Sequence, residues 1–95
     1  MSEAARTVLV SIRGRVQGVW FRGWTKRQAD GLLLAGWVRN RADHSVEALF
    51  SGDRENVDKM ISKCHKGSPL SRVNSVTVIE QNSCDLQGFE IRETG

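Results

Sequence analysis

The sequence of 95 residues has only two cysteines, a single proline and no tyrosine. Two cysteines are too few for a disulfide framework, and Cys64 and Cys84 are too far apart for a paired metal-binding knuckle, so we expect two reduced thiols. No apolar run approaches the length of a membrane span, and the opening MSEAARTVLVSIRGR lacks the basic segment and long apolar core of a signal peptide. We therefore expect a cytoplasmic protein that does not associate with membranes.

The composition is typical of one globular domain. Hydrophobic residues make up 39% and charged residues 26% of the chain, and there is no low-complexity run or block of one charge. The length suits one hydrophobic core, so we expect a single domain over residues 1–95. The net charge of +3 permits an anionic partner. A basic surface without a specific function explains that charge better than nucleic-acid binding does.

The first half of the chain shows a strand, a helix and a hairpin. Residues 7–13 alternate with the period of a strand, whereas residues 21–33 carry apolar side chains at helical spacing. Residues 36–41 and 45–50 flank a short polar connection, which predicts a hairpin.

A second helix and a fourth strand are predicted after the hairpin. Asp53 can cap this helix, and Gly67 and Pro69 end it. Residues 73–80 then form a strand, and residues 88–92 a short edge strand. The order βαββαβ predicts a ferredoxin-like α+β sandwich, in which two helices cover one face of an antiparallel sheet. The apolar stripe of the second helix consists of Val57, Met60, Ile61 and Cys64.

The segment GRVQGVWFR, residues 14–22, joins the first strand to the first helix and has features of an anion-binding loop. Gly14 and Gly18 allow the backbone to curl towards a ligand, and a helix N-terminus adds partial positive charge. Two glycines alone favour a simple tight turn over an anion-binding loop. Arg22 favours an anion, because a cation in the first turn of a helix opposes the helix dipole unless an anion lies beside it. Its guanidinium can hold two phosphate oxygens.

Three segments resemble signatures of the acylphosphatase family. GRVQGVWFR and GWVRNRADHSVE (residues 36–47) are similar to the two main signatures, and GSPLSRV (residues 67–73) resembles a third. The resemblance covers nearly the whole chain. It implies hydrolysis of the carboxyl-phosphate bond of a small acyl phosphate, without a metal or cofactor, and with inorganic phosphate as product and competitive inhibitor.

The resemblance also implies roles for individual residues. By position, Arg22 binds the phosphoryl group and Asn40 orients the attacking water. An Asn amide suits that task because it both donates and accepts hydrogen bonds. An acyl phosphate has a good leaving group, so binding and water placement suffice without a general acid. The phosphate-binding loop consists of Arg15, Val16, Gln17, Gly18, Val19 and Trp20.

Other polar residues have structural explanations that compete with functional ones. His44 lies in a turn and His65 at a helix end, so we do not expect either to be a catalytic base. Gln17 is expected to hold the loop in shape. No His, Cys, Asp or Glu cluster has the spacing of metal ligands. Either a ring of basic side chains around the site or a solvated basic face explains Arg13, Arg15, Arg39 and Arg41.

Three residues depart from the family pattern. Leu33 and His44 stand where glycine with positive φ is usual, at a cost of about 1 kcal/mol each. Gly31 offers an earlier end to the first helix. Trp20 is larger than the residue common at its position, which puts the width of the loop's mouth in question.

Two other classes of protein share the predicted topology. An RNA-recognition module would need exposed aromatic residues in its ribonucleoprotein motif, and this chain has no such run. A non-catalytic anion- or partner-binding domain would keep the loop and dispense with Asn40. Because Arg22 and Asn40 are both present, we expect an enzyme. We also expect that it acts as a monomer and has no nucleic-acid partner.

Overall fold

The computed structural model describes residues 5–83 and 85–95, so Cys84 and the expectation of a reduced thiol there lie outside the described residues. The elements occur in the predicted order, followed by the short edge strand. They are β1 (Ala5–Arg15), α1 (Phe21–Gly31), β2 (Ala35–Asn40), β3 (Val46–Asp53), α2 (Arg54–Lys66), β4 (Arg72–Glu80) and β5 (Phe89–Ile91).

The strands form one sheet in the order β4-β1-β3-β2-β5. β1 pairs antiparallel with β3 and β4, and β2 pairs antiparallel with β3. The ferredoxin-like prediction is confirmed for this part of the sheet. β5 pairs parallel with β2, so the complete sheet is mixed rather than antiparallel throughout. The topology explains the direction of β5. β4 runs opposite to β2, so β4 ends at the edge of the sheet where β2 begins, and a strand that starts from this edge runs parallel to β2.

The core lies between the sheet and the two helices. Val8, Val10 and Ile12 of β1 are fully buried, as their alternation predicts. From the helices, Phe21 and Met60 supply the largest side chains of this layer. The burial raises the pKa of the Cys64 thiol to about 12, because the thiolate is unfavourable in apolar surroundings. Cys64 is therefore a core residue, as its place in the helical stripe predicts.

The helix ends correct two details of the prediction. α1 ends at Gly31, so Leu33 lies beyond the helix with a φ of 57°, and the residue is 87% exposed. Asp53 stands at the N-terminus of α2, but its carboxylate makes no capping hydrogen bond. β3 continues to Asp53, which pairs with Ala5, so the chain passes directly from extended strand into helix. Gly67 ends α2 with a φ of 79°.

Within the described part of the chain, no helix has the length and apolar character needed to cross a membrane.

Candidate active site

The loop between β1 and α1 starts at a bulge in β1. The register between β1 and β4 shifts between Arg13 and Gly14, and Gly14 has a φ of 132°. A Cβ atom at Gly14 would lie 2.1 Å from the backbone oxygen of Arg72. Only glycine allows the two strands to approach this closely, and the bulge redirects the chain into the loop. Gly18 has a φ of 76°, so both glycines adopt the conformations expected of them.

The loop, the first turn of α1 and the ends of β2 and β5 surround a hollow of about 380 Å³, which we call the cradle. Arg22 and Asn40, which the sequence places in separate motifs, both line it. The full lining consists of Val16, Gly18, Trp20, Phe21, Arg22, Gly23, Asn40 and Ile91.

The six predicted loop residues divide into two groups. Val16, Gly18 and Trp20 line the cradle. Arg15 is exposed at the end of β1, and the Val19 side chain packs against the hydrophobic core. The sixth, Gln17, contacts the hairpin. Three of the six predicted residues therefore face the hollow, Gln17 and Val19 fix the loop to its surroundings, and Arg15 belongs to the end of β1.

Gln17 joins the loop to the hairpin between β2 and β3. Its Nε2 donates hydrogen bonds to the backbone oxygens of Arg41 and Ser45, each at 2.9 Å. Arg41 directly follows Asn40, the last residue of β2. The amide of Gln17 thus holds the loop beside the strand end that carries Asn40, as expected of a residue that maintains the shape of the loop.

Arg22 is half-buried in the first turn of α1 and lines the cradle. It forms no ion pair with any described residue. α1 has no acidic residue in its first turn and no side-chain capping bond, since Trp20 occupies the N-cap. The positive end of the helix dipole and the guanidinium charge therefore reinforce each other. Together they favour an anion in the cradle.

Asn40 provides a polar group on another side of the cradle. It pairs with Val46 at the end of β2, and its side chain is half-buried. Its Oδ1 is buried and accepts no hydrogen bond from the described residues. Leaving a buried acceptor without a donor costs about 1–3 kcal/mol. As a lining residue, Asn40 brings to the cradle an amide, a group that both donates and accepts hydrogen bonds.

Three of the four arginines expected either around the site or on a solvated face form ion pairs. Arg13 Nη2 lies 3.0 Å from a carboxylate oxygen of Asp43. Glu47 Oε1 lies 2.8 Å from Arg39 Nη2 and 3.2 Å from Arg41 Nη1. These three arginines, like Arg15, do not line the cradle. The arrangement favours the solvated basic face over the ring of cations.

Neither histidine lies at the cradle. His44 is exposed in the hairpin turn with a φ of 74°, and His65 is exposed near the end of α2. Among residues 5–83 and 85–95, no three His, Cys, Asp or Glu side chains lie together as metal ligands would.

Three residues that line the cradle are not among the predicted site residues: Phe21, Gly23 and Ile91. Ile91 reaches it because β5 pairs parallel with β2, which no local pattern predicts. Gly23 lies under the indole of Trp20, where an added Cβ would be 2.2 Å from Cε2. The spacing of a bulky aromatic residue and a glycine one helical turn apart is a signal that could have indicated this contact.

Comparison with known proteins agrees with the motifs and the fold. The acylphosphatase family model matches residues 8–91. An acylphosphatase from Rhizorhabdus wittichii is 51% identical over 85 residues, which cover 90% of this chain and 86% of that protein. The structure of an acylphosphatase from Coxiella burnetii has a TM-score of 0.92 at 30% identity, with 96% of each chain covered. For the acylphosphatase from Bacillus subtilis the TM-score is 0.87 at 37% identity, with 90% of this chain and 97% of that chain covered.

The resemblance noted in the sequence is thereby confirmed over most of the chain. The glycine-shaped loop, the uncapped helix start and the matched family region coincide at the cradle. The chain is an enzyme of the acylphosphatase family, whose substrates are acyl phosphates.

Proposed function

We propose that the cradle binds the phosphoryl group of a small acyl phosphate, with Arg22 as its cationic ligand and Asn40 as the residue that orients the attacking water. One observation carries the proposal: Arg22 and Asn40 line the same hollow at the uncapped N-terminus of α1.

Phosphate binding is assigned to Arg22 and to the backbone N–H groups of residues 15–20. The guanidinium can donate two parallel hydrogen bonds to phosphoryl oxygens, and the backbone donors and helix dipole add partial positive charge. Gln17 holds the loop against the hairpin through its two hydrogen bonds before the substrate arrives. Fixed positive groups stabilise the charge that develops on the phosphoryl oxygens in the transition state.

Water placement is assigned to Asn40. The side-chain amide of Asn40, which lines the cradle, hydrogen-bonds the water, and the water oxygen attacks phosphorus. The bond between phosphorus and the bridging oxygen breaks, and its electron pair leaves with the carboxylate. One proton of the water passes to a phosphoryl oxygen. The substrate dianion and water thus give a carboxylate and dihydrogen phosphate, with no general acid required.

Inorganic phosphate is expected to compete with the substrate because it offers similar oxygens to Arg22. The proposed enzyme acts as a monomer.

The activity is tested by measuring phosphate release from acetyl phosphate with and without a chelator. Turnover that persists in the chelator supports the proposal. Absence of turnover by a folded protein that still binds inorganic phosphate would support the non-catalytic anion-binding domain instead.

The role of Arg22 is tested by Arg22→Gln, with Arg54→Gln as a matched control on the exposed start of α2. Charge-assisted hydrogen bonds contribute about 1.5–3 kcal/mol each. We therefore expect phosphate binding and kcat/KM to fall at least about tenfold in Arg22→Gln, with the urea midpoint preserved. Arg54→Gln should retain both. Unchanged competitive inhibition by phosphate in Arg22→Gln would exclude this role.

A further inference from the structure

Trp20 holds an exposed aromatic ring at the entrance to the cradle. Its backbone is left-handed, with a φ of 61°, and the residue is 62% exposed. The ring lies against α1 in the space that Gly23 leaves free. The guanidinium carbon of Arg27 lies 5.7 Å from the ring centroid. The indole is thus positioned on the helix and is also open to a ligand.

A second hollow of about 340 Å³ adjoins the cradle, and we call it the α1 hollow. Trp20, Gly23 and Ile91 line both spaces, so they form the boundary between them. Arg22 and Asn40 line only the cradle. The remaining lining of the α1 hollow consists of Lys26, Arg27 and Asp30.

The proposed reaction needs space for the acyl group beside the cradle. In an in-line displacement, the leaving group departs from the side of phosphorus opposite the attacking water. The water is assigned to Asn40, which is absent from the α1 hollow. A phosphoryl group bound by Arg22 would therefore direct its acyl substituent away from Asn40, and the α1 hollow is the adjoining space that can receive it.

We propose that the α1 hollow is the acyl-group site and that Trp20 makes it selective for flat, aromatic acyl groups. This inference rests on the proposed hydrolysis in the cradle. An aromatic acyl group can stack on the indole, whereas a small aliphatic group cannot. Stacking of two aromatic rings adds binding energy beyond that of the apolar area they bury. This selectivity requires the indole to keep its position against Gly23, which has no Cβ atom to displace the ring.

The charges around the α1 hollow agree with this occupant. Lys26 Nζ lies 2.7 Å from Asp30 Oδ2, so these two charges offset each other. Arg27 forms no ion pair with the residues that the structure describes. The α1 hollow therefore has one uncompensated positive charge, which suits an acyl group that leaves as a carboxylate.

The test compares kcat/KM for benzoyl phosphate with kcat/KM for acetyl phosphate in each variant. Trp20→Leu removes the aromatic ring, and we expect the ratio of benzoyl to acetyl phosphate to fall about fivefold. Gly23→Ala retains the ring but displaces it, because the added Cβ would meet Cε2 at 2.2 Å. The ratio should fall in this variant as well. Trp37→Leu changes a half-buried tryptophan that lines neither hollow, and should keep the wild-type ratio.

The inhibition constant for inorganic phosphate, measured in each variant, reports separately on the cradle. An unchanged ratio in both Trp20→Leu and Gly23→Ala would overturn the acyl-group site and leave the proposed hydrolysis standing. If the wild-type protein hydrolyses neither benzoyl phosphate nor acetyl phosphate, the proposed hydrolysis is refuted, and the acyl-group site with it. A ratio that also falls in Trp37→Leu would show that the selectivity does not arise at Trp20.

Discussion

Replacing Asn40 with alanine should separate catalysis from stability. The substitution keeps the backbone pairing of Asn40 with Val46 at the end of β2. It removes a buried acceptor that has no donor among the described residues, which should raise the free energy of unfolding by about 1–3 kcal/mol. It also removes the packing of a half-buried side chain, a loss of about 1–2 kcal/mol. Since these terms are of similar size and opposite sign, the free energy of unfolding should change little.

The effect on turnover should be much larger. If Asn40 orients the water, its loss forfeits the positioning of one reactant, and we expect kcat to fall about 100-fold or more. This corresponds to about 2.7 kcal/mol of transition-state stabilisation. The inhibition constant for inorganic phosphate should barely change, because Arg22 and the loop remain in place.

Asn40→Asp provides the matched variant. It retains the size of the side chain but replaces the amide donor with a negative charge in a hollow that binds an anion. We therefore expect phosphate binding to weaken in this variant as well as kcat. The two substitutions together distinguish water placement from charge effects.

The measurements are kcat, the phosphate inhibition constant and the urea midpoint of both variants and the wild type. Near-normal kcat in Asn40→Ala would refute the assignment of the water to Asn40. A loss of phosphate binding in Asn40→Ala as large as that in Arg22→Gln would also refute it, because Asn40 would then be a phosphate ligand.

Two further predictions concern the stability of the turns. Leu33→Gly and His44→Gly should each raise the free energy of unfolding by up to about 1 kcal/mol, because glycine adopts a left-handed backbone without strain and both side chains are exposed. A decrease in the free energy of unfolding of both variants, measured by urea denaturation, would contradict this. Hydrogen bonds from Ser45, together with the charge of Arg13, lower the pKa of Asp43 from 3.8 to about 2. Because the pKa is lower in the folded state, wild type should be more stable than Asp43→Asn above about pH 4, and this advantage should disappear as the pH falls towards 2. A difference in urea midpoint that does not change with pH would contradict this linkage.

The secondary structure could be predicted because its signals are local. Alternation in β1 identified Val8, Val10 and Ile12 as one buried face, and Gly31, where α1 ends, was the alternative to an end at Leu33. The exact bounds could not be predicted in the same way. β3 extends to Asp53 because it pairs with the start of β1, and this pairing leads the chain straight into α2 without the expected side-chain cap.

The residues of the candidate site were only partly accessible from the sequence. Arg22 and Asn40 stand in motifs long enough to identify. Gln17 was expected to stabilise the loop, but its partners in the hairpin could not be deduced. Ile91 and Gly23 were missed, because one depends on the parallel pairing of β5 and the other on the conformation of Trp20.

The sequence by itself determined the order of the elements, the buried faces and the family, since periodicity and motif residues depend on near neighbours in the chain. Only the tertiary structure decided which loop residues face the cradle, which arginines are engaged in ion pairs, and that Trp20 borders two hollows. These features arise between residues distant in the chain. They depend on strand order, strand register and the direction of individual side chains, which local periodicity does not specify.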